Sequence, residues 1–201
     1  MQRDMPSGTA MEEGDADLMD LAAFHSWVCT QERRYELVEG RPRLLPLETA
    51  FHSRISMNVM RWLITSLDRN RYDLCSCQLA IETGERTVRF ADGTVMPFAD
   101  DESSFSAERA LFIYEIASPE ILQLDLGPKR AEYATLPNLV QYLVASEEAP
   151  RVLSWSRDDG WNWPSEPETV SGMSGMVRLA PFGLSMSLAE VYDRVSFGSD
   201  A

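Results

Sequence analysis

Glu115 is an acid inside an apolar run, Leu111–Ala117 (LFIYEIA). A carboxylate in the middle of a hydrophobic strand is costly unless it is paired, protonated or bound to a metal. Two readings stand side by side. In one, Tyr114 and Glu115 simply alternate, and Glu115 faces solvent or an arginine. In the other, Glu115 reaches into a site together with Asp92, which ends the strand pair upstream. Two carboxylates from neighbouring strands are a hard-oxygen seat for Mg²⁺ (or Mn²⁺), with water and substrate phosphate completing the octahedron.

Lys129 is the second unusual residue. It is the one lysine among 18 basic residues, and it follows the Glu115 strand. Phosphoryl chemistry wants a compact cation near the attacked phosphorus. Asp125, Lys129 and Tyr133 are spaced i, i+4, i+8, so on a continuous helix they share one face. Pro128 suits a helix start, which puts Asp125 ahead of the helix that runs to about Tyr133. The plain alternative for Lys129 is a solvated lysine on a surface helix.

These residues need elements to hold them. The helix expected over Thr49–Leu67 follows the 3.6-residue period through Ile55, Val59, Trp62, Leu63 and Leu67, with Arg54, Asn58 and Arg61 on another face. Ahead of it, Asp17 reads as the N-cap of a helix to about Thr30, and Tyr35–Val38, Glu39-Gly40 and Arg41–Leu47 read as a hairpin. Strands are expected at Tyr72–Glu82, Arg86–Phe90, Gly93–Phe98, Leu111–Ala117 and Leu139–Ala145. Arg151–Ser156 and Trp161–Trp163 read as a hairpin about Asp158-Asp159-Gly160, with Trp155, Trp161 and Trp163 as cross-strand packing. Ser187–Val195 reads as a closing helix. This order is that of a mixed α/β (α+β) domain over residues 17–196, between an acidic, disordered tail (1–16) and a short one (197–201).

Composition narrows the function classes. The chain of 201 residues carries a formal charge of −14, which argues against broad non-specific binding to nucleic acid. Residues 41–80 are the exception, with six arginines against three acids. No apolar stretch nears bilayer length and the N-terminus lacks an apolar leader core, so a cytoplasmic protein is expected. Cys29, Cys75 and Cys77 are an odd set, read as structural thiols; Cys75 and Cys77 share a face if both lie in a strand.

YELVEGRPRLLP, His52 opening a long helix, an Asp after a strand, IYEIASPE, DLGPKRAEY and PNLVQYLVAS follow one another in this chain. The order resembles a bacterial family named for restriction endonucleases, the Uma-type domain, within the PD-(D/E)XK nuclease superfamily. The likeness runs over roughly residues 18–160. It implies a restriction-endonuclease-like core, a central mixed β-sheet flanked by helices, with a metal-dependent site at one edge. Asp92 matches the family's Pro-Asp aspartate and Glu115 the glutamate of its Glu-Val-Leu-Ser-Pro motif. The main-chain carbonyl of Ile116 is then a third metal ligand. The superfamily's lysine two residues after that glutamate is Ala117 here, and Lys129 matches the lysine that the family supplies from the next helix. Glu36 matches a recurrent acid and His52 a recurrent histidine. The chain departs from the family at Arg89-Phe90-Ala91-Asp92-Gly93. Ala91 replaces proline, Gly93 loosens the strand, and Asp100 or Asp101 competes with Asp92 as the ligand.

The resemblance implies a Mg²⁺- or Mn²⁺-dependent endonuclease acting on DNA, with Asp92, Glu115 and Lys129 catalytic. Glu36, His52 and Tyr133 support them, and Arg54 and Arg61 contact phosphates. A homodimer fits a superfamily that often works in pairs. Two other readings stay open. One is a degenerate nuclease fold that binds or regulates; the other is an acidic interaction protein using its tail and the loop at 100–102.

Overall fold

In the computed structural model, which describes residues 18–100, 107–118 and 125–197, β7 (Phe112–Ala117) is buried on both faces and fixes the layout. Six strands form its sheet in the order β10-β9-β8-β7-β6-β3. They comprise β3 (Tyr72–Ser76), β6 (Gly93–Pro97), β8 (Gln141–Ser146), β9 (Arg151–Ser156) and β10 (Glu168–Ser171) around β7. All neighbours pair antiparallel except β7 and β8, which run parallel with Glu115 opposite Val144. A parallel pair needs a crossover. That crossover delivers α3 (Arg130–Tyr133), preceded by a π-helical turn at Asp125–Lys129.

Side chains alternate across β7. Phe112, Tyr114 and Ile116 pack with Ile55, Val59 and Leu63 of α2 (Ala50–Ser66), whereas Ile113 and Ala117 pack with Tyr133, Tyr142 and Trp155 on the other side. Period two therefore turns Glu115 toward α3, and water covers neither face. Thr49 caps α2, its hydroxyl accepting from the His52 amide at 2.9 Å. This cap sets His52 in the first helical turn.

A second sheet, β2-β1-β5-β4, is built from β1 (Tyr35–Val38), β2 (Arg41–Leu44), β4 (Ile81–Gly84) and β5 (Thr87–Arg89). Glu39 and Gly40 make its first turn with φ of 51° and 80°. Helix α1 (Leu21–Val28) closes this sheet through Phe24, which packs on Leu37 and Val88. The C-terminal part adds the pair β11 (Met176–Leu179) and β12 (Leu184–Ser187), then α4 (Leu188–Val191), whose capping box joins Ser187 and Glu190.

The elements differ from the sequence expectation in definable ways. Asp20, not Asp17, caps α1, and residues 1–17 lie outside the description. The expected strand over 72–82 is two strands in two sheets, so Cys77 falls in the turn between them and shares no strand face with Cys75. β9 pairs with β10, not with Trp161–Trp163. Trp155 instead stacks on Tyr142, while the Arg157 guanidinium lies over the Trp161 and Trp163 rings at 5.0 and 4.8 Å. Pro128 sits inside the helical run rather than at its start. Proline has no amide hydrogen to give the α-helical ladder, and the chain passes it in the wider π turn. Among the described residues no helix is long and apolar enough to cross a membrane.

Candidate active site

Glu115 is paired after all, and its partners come from the crossover. Lys129 Nζ donates to Glu115 Oε1 at 3.0 Å, and the Tyr133 hydroxyl donates to the same oxygen at 2.9 Å. All three side chains are buried. The i, i+4 spacing of Lys129 and Tyr133 thus aims both at one carboxylate, although the turn before Arg130 is not α-helical. Burial, and next the charge of Glu115, push the Tyr133 phenol well above its ordinary pKa, so it stays a donor.

The charges continue beyond Lys129. Its ammonium lies 3.6 Å from Glu36 Oε1 on β1. Glu36 also accepts from Arg89 Nη1 at 2.8 Å, and Arg89 Nε and Nη2 grip the two oxygens of Glu132 at 2.7 Å each. Glu132, Arg89, Glu36, Lys129 and Glu115 form one chain of alternating sign. Arg89 is 2% exposed, and these carboxylates hold its guanidinium charged against the cost of burial. Sequence reasoning gave Arg89 and Glu132 no role. The one signal for Arg89 was its place in Arg89-Phe90-Ala91-Asp92.

Asp92 enters from the residue before β6. Its Oδ2 accepts from the Ile116 amide at 2.6 Å and lies 3.1 Å from His52 Nε2. Burial alone would lower the His52 pKa. The hydrogen bond to Asp92, its charge, and those of Glu48 and Glu147 outweigh that and leave it above the ordinary imidazole value. Gly93 does not loosen this strand. It is buried and pairs with both Ser76 and Tyr114, and a Cβ there would lie 2.1 Å from Tyr114 Cε1. The missing side chain is the room the Tyr114 ring needs.

Asp92, Glu115, Ile116, Lys129 and His52 line one cavity of about 170 Å³, together with Arg34, Glu48 and Glu147. Glu36 and Tyr133 stand behind it, touching Lys129 and Glu115. Asp100 does not line it, and Asp101 lies outside the described residues. Arg54 and Arg61 are not brought to it either. Arg54 donates to the Arg194 carbonyl at 2.7 Å and Arg61 pairs with Asp193 at 3.2 Å, so their helix face docks the C-terminal turn.

The donor set suits a divalent cation. Single ligand atoms of Glu48, His52 and Asp92 all lie within 4.8 Å of one another. His52 Nδ1 is buried and lacks a hydrogen-bond partner, an orphan that ligation would satisfy. Carboxylate oxygens suit Mg²⁺ or Mn²⁺, whereas an imidazole suits softer ions such as Zn²⁺ or Fe²⁺. Glu48, four residues before His52, could have been noticed from the i, i+4 spacing.

No curated protein matches the sequence. Among solved structures, the crystal structure of "a putative nuclease belonging to DUF820 from Anabaena variabilis ATCC 29413" superposes with a TM-score of 0.70 at 15% identity, over 86% of this chain and 97% of that one. At that identity the likeness is one of fold: a mixed sheet flanked by helices. A family model, Uma2, described as "Putative restriction endonuclease", matches residues 21–189. With that match over most of its length, the chain belongs to the Uma2 family.

Proposed function

We propose that this protein is a metal-dependent endonuclease that hydrolyses phosphodiester bonds, with DNA as substrate and Mg²⁺ or Mn²⁺ as cofactor. The family match and the nuclease fold neighbour support the reaction class. The observation that carries it is the contact of Lys129 Nζ with Glu115 Oε1, 3.0 Å apart, in a cavity that Asp92 also lines.

Asp92, Glu115 and the Ile116 carbonyl would hold the ion, with His52 and Glu48 as neighbouring donors. A bound divalent ion supplies Lewis-acid polarisation of the phosphate and a water of lowered pKa. Lys129 contributes fixed positive charge beside the reacting phosphate. Tyr133 and Glu36 position Glu115 and Lys129 from behind. His52, tied to Asp92, positions rather than attacks. The free thiols of Cys29, Cys75 and Cys77 suit the reducing cytoplasm as the place of action. A homodimer, as in related nucleases, is the assembly to look for by light scattering.

The test is Mn²⁺ calorimetry beside plasmid cleavage, on the wild type, Glu115→Ala and Glu115→Gln. Binding and cleavage that both vanish in the folded variants support the reading. A folded wild type that neither binds Mn²⁺ nor cuts would overturn it. Metal-independent binding of DNA without cutting would favour the degenerate binding module.

A further inference from the structure

We infer that Arg34 is a backbone-phosphate contact for the nucleic-acid strand entering the cavity, held in reserve by Glu48. The inference rests on the endonuclease reading. Among the cations lining the cavity, His52 and Lys129 are buried, whereas the Arg34 side chain is 42% exposed. It forms an ion pair with Glu48, itself half-exposed, and donates through Nη2 to the Cys77 carbonyl at 3.1 Å. That second bond fixes the guanidinium at the rim without neutralising it.

Arg34 also lines two further cavities beside the first. One, of about 280 Å³, shares Leu45, Pro46, Leu47 and Glu48 with the catalytic cavity. The other, of about 540 Å³, shares Phe90 with it and holds Arg33 and Tyr35. Among the described residues, Arg34 is the one that lines all three cavities. The catalytic cavity is lined by four carboxylates, Glu48, Asp92, Glu115 and Glu147. An anionic strand therefore needs a cation at the rim, and a guanidinium fork suits a phosphate's oxygens. Arg54 and Arg61, in the basic segment, are turned toward the C-terminal turn instead.

Glu48 competes with the phosphate for the same guanidinium. Removing its charge should strengthen binding only while Arg34 is present, and a double-mutant cycle isolates that dependence.

The experiment measures fluorescence anisotropy of a labelled single-stranded DNA oligonucleotide with the full chain in Ca²⁺, across a salt series. Arg34→Ala should weaken binding on the order of tenfold and flatten the slope of log Kd against log salt by about 0.7. Arg34→Lys should keep the slope, and the exposed Arg178→Ala should match the wild type. Measured in EDTA, where a lost cation donor plays no part, Glu48→Gln should tighten binding in the wild-type background and leave Arg34→Ala unchanged. Wild-type affinity and slope in Arg34→Ala would overturn the inference. So would an equal effect of Glu48→Gln with and without Arg34, or no binding by the wild type. Cleavage in Mn²⁺ is followed in parallel. Glu115-dependent cleavage that ignores Arg34→Ala would remove this contact and keep the endonuclease. Arg34-dependent binding without cleavage would keep the contact and remove the endonuclease.

Discussion

The Tyr133 hydroxyl stands 2.9 Å from Glu115 Oε1, and both side chains are buried. Tyr133→Phe deletes that donor and nothing else. A hydrogen bond to a buried charge is worth about 1.5–3 kcal/mol, so urea unfolding should register a loss of that size. Calorimetry should show weaker Mn²⁺ binding in the folded variant, since Glu115 loses a positioning contact. Unchanged stability would mean that the hydroxyl does not bond the carboxylate in solution.

Lys129→Met should be more damaging. It takes the shared ammonium from Glu115 and Glu36 while leaving both carboxylates buried. Breaking a buried pair on one side costs about 3–5 kcal/mol. Lys129→Met combined with Glu115→Gln should recover part of that loss, because the second change removes one stranded charge. The cycle is read from denaturant midpoints at constant m-value. Purely additive losses would contradict the pairing.

His52 should titrate above the ordinary imidazole value of ~6.5 in metal-free protein, which NMR can follow because the chain has only two histidines. A raised folded-state pKa means that the proton favours the folded state. The contribution is complete below the unfolded value and is lost as pH rises through the folded one. In EDTA, stability should therefore fall through neutral pH, and His52→Gln should remove that decline. Metal competes with the proton for the ring, so Mn²⁺ affinity should rise over the same interval.

Gly93→Ala places a methyl group inside the Tyr114 ring's space, 2.1 Å from Cε1. Both residues are buried and strand-paired, so neither can swing clear at small cost. Overpacking of this kind costs about 1–3 kcal/mol or more. Because Asp92 immediately precedes Gly93, Mn²⁺ affinity should fall with stability. A variant as stable as the wild type would show that the ring has another resting place.

What could be read from the sequence was what looked out of place in it. Glu115 is an acid in an apolar strand and Lys129 is a solitary lysine, and each anomaly drew attention to a buried pair. Arg34 and Glu147 sit in ordinary polar surroundings, where nothing local separates a site residue from a solvated one. The grouping of Arg54 and Arg61 on one helical face was sound, but periodicity says which residues share a face and not what the face meets. That face meets residues 191–194, a contact across more than 130 positions. Pro128 misplaced the helix start because a π turn accommodates what an α turn would not. The strands β10, β11 and β12 were missed because each is only four residues long.

The chain of charges from Glu132 to Glu115 also spans the two sheets: Glu36 and Arg89 belong to the small one, Glu115 to the large one, and Lys129 stands between them. A subdomain tethered by buried ions cannot swing open as a lid while those ions stay paired. The small sheet and the floor of the cavity should therefore open in one cooperative event. In hydrogen exchange, the amides of Leu37 and Val88 should lose protection together with that of Ile116, and Arg89→Ala should uncouple them.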